Sequence, residues 1–185
     1  MNNQTGKTER LQQLRQVNAL SGASNKSLEL LANAAEDVSL NQGQTLLRGG
    51  VVETHCFVLL EGTLRLLGTD PVSKELFTVG RCNPGELVGV IDLLRQGACE
   101  SAIARQNCRL LSLPLSLLID LIQDDSDLLD NLEQLQSPCE GAAVLANVLV
   151  QLNPPPVDSQ AWLRAQLNAF NQSDIRSERL LSSVL

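Results

Sequence analysis

RCNPGELVGVIDLLRQGACESAIARQNCRLLSL, residues 81–113, is the stretch that decides the fold. It opens on a turn, Asn83-Pro84-Gly85. An apolar pair, Leu87-Val88, leads to Gly89. One helical turn is expected over residues 90–94 and a polar loop over 95–100. Strand-like pieces over 101–105 and 108–113 close the stretch. A glycine followed by a turn of helix and a polar loop can present free backbone N–H groups to an anion. This stretch has that shape but lacks the charges that would complete it.

Upstream, from about residue 37, the apolar period is close to two and turn signals recur at short intervals. Val38 and Leu40 alternate with polar residues, and Asn41-Gln42-Gly43 turns the chain. Thr45-Leu46-Leu47 reads as a strand ending at Gly49-Gly50, and residues 55–60 as a buried strand. Glu61-Gly62 turns into a strand over 63–67. Gly68-Thr69-Asp70-Pro71 is expected to form the next hairpin, with its return strand at 76–79. Short strands at this spacing predict a β-sandwich or jelly roll.

Helices flank the strands. Residues 1–8 are expected to be disordered. Leu11, Leu14, Val17 and Leu20 recur along one face of a first helix. Ser24 or Asn25 can cap a second, carrying Leu28, Leu30, Leu31 and Ala34. After Pro114 a helix carries Leu115, Leu118, Ile119 and Ile122. Asp124-Asp125-Ser126 can cap the next, over 128–135. Pro138 is expected to stop or kink that helix. An apolar helix spans 139–152, and Asn153-Pro154-Pro155-Pro156 begins a stiff linker. One or two amphipathic helices follow around Trp162, Leu163, Leu167 and Phe170. The pattern divides the chain into a domain over 9–135 and a helical extension or linker over 136–185. The closing SERLLSSVL suggests a longer parent protein.

Composition narrows the function. Of 185 residues, 43% are apolar and 19% charged, which suits a globular chain with a core. A net charge of −7 and four aromatics argue against a nucleic-acid partner. No apolar run is long enough for direct membrane insertion, so a cytoplasmic location is expected. The five cysteines are odd in number and form no CxxC pair, and so read as buried free thiols with no metal role. His55 has no nucleophile or second ligand for company. No P-loop, GxSxG, HExxH or Rossmann fingerprint occurs, so no enzyme activity is expected.

The ordered set of turns and glycines resembles the cyclic-nucleotide-binding domain of the catabolite-activator class over roughly residues 10–135. Val38-Ser39-Leu40, Gly43 and Leu46 resemble its first two strands. Cys56-Phe57-Val58-Leu59-Leu60-Glu61-Gly62 resembles its aromatic strand and glycine turn. Asn83-Pro84-Gly85-Glu86-Leu87-Val88-Gly89 resembles the opening of its phosphate-binding cassette. Ser101-Ala102-Ile103-Ala104 and Cys108-Arg109-Leu110-Leu111-Ser112-Leu113 resemble the cassette exit and final strand. The resemblance implies a mainly β fold: a cyclic-nucleotide-binding-type jelly roll with N-terminal helices and a C-terminal helical extension.

The resemblance also implies a site. In the family a glutamate after the cassette glycine holds the ribose hydroxyl, and an arginine at the exit strand holds the cyclic phosphate. Here the glycine is Gly89 and the glutamate position is Val90. Anchored at Ala104, the arginine position falls on Ala98; without a gap it falls on Glu100. Cys99 lies between the two, and Ser101 takes the supporting hydroxyl position. Glu86 precedes the apolar pair and matches a solvent-facing turn. A lost arginine–phosphate bond removes about 1.5–3 kcal/mol. A carboxylate about 6 Å from a phosphate adds roughly 3 kcal/mol of repulsion at an effective dielectric near 20. Arg95 and Arg105 are candidate anion rescues, Arg105 because it shares a strand face with Ser101.

The pocket therefore reads as degenerate, with no cyclic nucleotide or other cofactor expected. The expected function is a non-catalytic regulatory or docking domain. Its partners would be other domains of a longer parent chain or a separate protein. A homodimer through the helices after Pro114 would use Leu128, Leu129, Leu132 and Leu135, or Val144, Leu145, Val148 and Leu149. The alternatives are an atypical sensor of a cyclic nucleotide or another small anion, and the N-terminal part of a transcription regulator. The tail is similar in layout to bacterial exporters that join a peptidase to an ABC transporter. That likeness would put the domain at the inner face of a membrane, in peptide export.

Overall fold

A computed structural model describes residues 2–91, 94, 100–154 and 156–172. Helix α1 (Asn2–Leu14) and a 3-10 turn (Asn18–Leu20) lead to α2 (Asn25–Ala34). Eight strands follow among the described residues: β1 (Glu36–Leu40), β2 (Thr45–Leu47), β3 (His55–Glu61), β4 (Leu64–Thr69), β5 (Leu76–Cys82), β6 (Leu87–Val88), β7 (Ala102–Ala104) and β8 (Cys108–Pro114). Four helices close the order: α3 (Leu115–Asp124), α4 (Ser126–Glu133), α5 (Pro138–Gln151) and α6 (Ser159–Gln172).

The strands form two antiparallel four-stranded sheets, β1-β8-β3-β6 and β2-β7-β4-β5. This crossed order is a jelly roll. Within the first sheet, β3 and β8 are buried on both faces. Phe57, Leu59, Cys108 and Leu110 point into the roll, where they meet Leu47, Leu64 and Leu66 of the second sheet. Cys56, Val58, Leu111 and Leu113 point the other way, onto Leu14, Leu31, Leu118 and Leu128 of the helices. That is why residues 56–60 and 110–113 are almost continuously apolar rather than alternating.

Several local expectations meet their physical reasons. Ser24 caps α2 by accepting the Ser27 N–H at 3.1 Å. Asp125 caps α4 by accepting from Leu128 at 3.4 Å. Its other oxygen takes the Ser24 N–H and the Ser27 hydroxyl, both at 2.8 Å, so one carboxylate joins two helix starts.

Other expectations are corrected. The first segment is helical from Asn2, because a helix pinned by Leu11 and Leu14 extends outward at little further cost. The expected helix through residue 20 breaks after Leu14. Strict three-residue spacing of Leu14, Val17 and Leu20 suits a tighter 3-10 turn there. Pro138 does not kink a helix; it opens α5 at its first turn, where a missing N–H costs nothing. Gly68 and Thr69 lie inside β4, and the hairpin turns over residues 70–75. The segment after residue 135 is not simply a linker. Ala142 and Leu149 of α5 and Leu163 and Leu167 of α6 pack with Phe77 of β5 in one buried cluster.

Candidate functional site

Gly89 follows β6 with φ +88°, a conformation that favours glycine. Its N–H does not point to open space. It donates to the Glu100 carboxylate at 2.7 Å. Glu100 is only 3% exposed. Its second oxygen accepts the Ser137 hydroxyl at 2.8 Å. Ser137 is the N-cap of α5, in a capping box with Glu140, and its oxygen also accepts the Cys139 N–H at 3.3 Å. One buried carboxylate thus joins the cassette glycine to the start of a helix.

The other expected site residues divide. Val90 is fully buried in the apolar cluster beneath the helices, so no ribose acceptor stands there. Ser101 uses its hydroxyl to accept the Gly49 N–H at 2.8 Å, which ties β7 to the loop after β2. Arg105 sits on the exposed turn after β7, its N–H on the Thr63 carbonyl at 2.9 Å. It is not among the residues that line the cleft described next. Glu86 is exposed and accepts the Asn83 N–H at 2.8 Å, the turn role its place in the sequence suggests. Arg95, Ala98 and Cys99 lie outside the described residues. Ile91 and Leu94 are helical, as expected for the turn after Gly89.

A cleft of about 560 Å³ runs between the second sheet and α5. Leu47, Leu67 and Ala142 give it apolar walls; Thr45, Thr69 and Ser101 bring hydroxyls, and Arg48 a cation. Arg48 was not singled out in the sequence, where it reads only as a charge beside the Gly49-Gly50 turn. Two glycines lie under α5. A Cβ on Gly80 would lie 2.7 Å from Pro138, and one on Gly68 would lie 3.2 Å from Ala142. Helix α5 seats closely because those positions have no side chain.

Burial pushes the Cys56 thiol up to about 12; a backbone hydrogen bond offsets part of this and the Glu100 charge adds to it. Burial also raises the Cys82 thiol, with Glu86 and Glu100 contributing. Cys56, Cys82, Cys108 and Cys139 are free and buried, and such thiols are inert. Among the described residues no cluster of three His, Cys, Asp or Glu side chains could hold a metal. Among them, too, no helix is long and apolar enough to cross a membrane.

The first expected dimer stripe is used within the chain. Leu128 and Leu132 are fully buried against the roll and Leu135 packs beside them. The second is split: Leu149 is buried against α6 while Val144 and Val148 are exposed.

The family model of the cyclic nucleotide-binding domain matches residues 37–125. Among solved structures the chain is similar to the regulatory subunit of a cAMP-independent protein kinase A from Trypanosoma cruzi bound to guanosine. The identity is 17%, over 80% of this chain and 52% of that one, with a TM-score of 0.67. The corresponding subunit from Trypanosoma brucei is 21% identical over 74% and 50%, with a TM-score of 0.63. The sensor domain of the transcriptional regulator DNR from Pseudomonas aeruginosa is 14% identical over 92% and 97%, with a TM-score of 0.59. The chain spans about half the length of the kinase regulatory chains it matches. No curated protein matches it in sequence. At these identities the likeness shows the fold: a cyclic-nucleotide-binding-type jelly roll with flanking helices. The family match ends at Asp125, before α5 and α6.

Proposed function

We propose that this chain is a non-catalytic regulatory or docking domain with a degenerate nucleotide pocket. It does not take cyclic AMP or cyclic GMP in the family's usual way. It acts on other domains of a longer protein or on a separate partner. The observation that carries this reading is the bond from the Gly89 N–H to the Glu100 carboxylate. An incoming cyclic phosphate would have to displace a charged, buried acceptor from that amide, with no cation gained at Glu100 and no ribose acceptor at Val90. The similarity to regulatory subunits and to a sensor domain supports the regulatory part. A place beside a membrane transporter, as in the peptidase-containing ABC exporters, is the finer form of the proposal and rests on the layout of the tail.

The cleft favours a second reading, an atypical ligand sensor. Its volume suits a small molecule. A ligand without a phosphate would escape the repulsion of Glu100. The similar Trypanosoma cruzi subunit is solved bound to guanosine. Titration calorimetry with cyclic AMP, cyclic GMP and guanosine separates the readings. No heat from either cyclic nucleotide is expected, and saturable cyclic AMP binding overturns the degenerate pocket. Heat from guanosine alone supports the sensor.

A further inference from the structure

The same carboxylate has a second partner, and that changes what it does. We propose that Glu100 acts as an internal ligand that latches α5 over the cleft, so that the domain rests closed with nothing bound. This rests on the reading of the pocket given above and extends it to regulation.

Glu100 receives the Gly89 N–H from the cassette and the Ser137 hydroxyl from the start of α5. It therefore bridges the anion place to the helix that roofs the cleft. The next helix repeats the device. Ser159, the first residue of α6, donates its hydroxyl to Asp70 in the β4–β5 turn. Asp70 is completely buried, and its other oxygen takes the Val72 N–H at 2.8 Å. Both helices thus begin with a serine bonded to a buried carboxylate of the roll. Between the two latches, Pro138 and Ala142 rest on Gly80 and Gly68, and Cys139 reaches into the core of the roll. Bonds to a charged acceptor out of water are the strong kind. Breaking the Glu100 latch frees the helix start while the apolar seat remains.

Hydrogen–deuterium exchange on the full 185-residue chain tests this. Ser137→Gly removes the hydroxyl but keeps a residue tolerated at a helix N-cap, and it leaves Glu100 on Gly89. Amides of α5 are expected to exchange about tenfold to a hundredfold faster, the range set by one charge-assisted bond, while β3 and β8 do not change. Glu100→Ala is expected to do the same. Glu100→Gln, which can still accept from Gly89 and donate to Ser137 but without the charge, is expected to fall between the wild type and Glu100→Ala. Unchanged α5 exchange in folded Ser137→Gly overturns the latch, whether or not Glu100→Ala folds. Cyclic AMP binding to the wild type would instead overturn the reading of the pocket, so the two failures are distinguishable.

Discussion

At the scale of single residues, Glu100 marks the limit of what the sequence tells. That it is one of two candidates for the arginine position implied by the resemblance, with Ala98 the other, is legible from the count between Gly89 and Ser101. Its direction is not. A carboxylate on a loop can face water or turn inward, and here it turns inward, its partners including the Gly89 N–H and the hydroxyl of Ser137, 37 residues further along. The sequence suggests a carboxylate some distance from the anion position, whereas in the structure it accepts the Gly89 N–H directly. Gly89 was legible for a simpler reason: a turn between β6 and a helical residue needs positive φ. A Cβ there would meet only ordinary contacts, 3.4 Å from Cys56 Cα and the His55 carbonyl oxygen. The cost of Gly89→Ala is therefore conformational, about 1–2 kcal/mol for a left-handed alanine. Urea unfolding should show that loss. A loss of several kcal/mol would mean that the amide's bond to Glu100 had broken as well.

At the scale of elements, the strands were the readable part. Turn residues and period-two texture located seven of the eight strands among the described residues to within a few positions, with Leu87-Val88 read only as an apolar pair, and Asp125 and Ser24 were legible as caps. The helices after residue 135 were read as an extension because nothing local reveals what a helix packs on. The missing signal lay in β4 and β5. Gly68 was assigned to a turn, and Gly80 drew no notice inside a strand, yet both are seats for α5. A glycine inside a strand often marks a close approach of another element. Gly80→Ala is expected to wedge against the rigid ring of Pro138, costing about 1–3 kcal/mol by overpacking. Thermal unfolding should register the loss. Gly43→Ala, where a Cβ meets nothing within 4 Å, pays only for its φ of +85°. If Gly80→Ala is silent, α5 does not rest on the sheet as closely as described.

At the scale of the molecule, two buried or half-buried carboxylates tie distant parts of the chain, and both make stability depend on acid. Asp125 joins the starts of α2 and α4; the Ser24 N–H is the main reason its carboxyl lies below the ordinary range, against an opposing effect of burial. Burial raises Asp70, but the bonds from Ser159 and from the Val72 and Ser73 amides outweigh it and hold that carboxyl low as well. An unfolded aspartate titrates near about 3.9. Because both folded values lie lower, protons bind the unfolded chain more readily. The stabilisation is complete above the unfolded value and is lost as pH falls through the folded ones. Urea unfolding between about pH 7 and about pH 2 should therefore show stability falling below about pH 4. Asp70→Asn and Asp125→Asn keep an acceptor but remove the titration. Each is expected to lower stability at neutral pH and to flatten the acid limb, and together they should flatten it further, since the residues lie in separate networks. An acid limb that runs parallel to the wild type in the double variant would place the pH dependence in other carboxylates. Asp70 would then hold α6 through its geometry alone, and the contact of α6 with the β4–β5 turn would persist in acid.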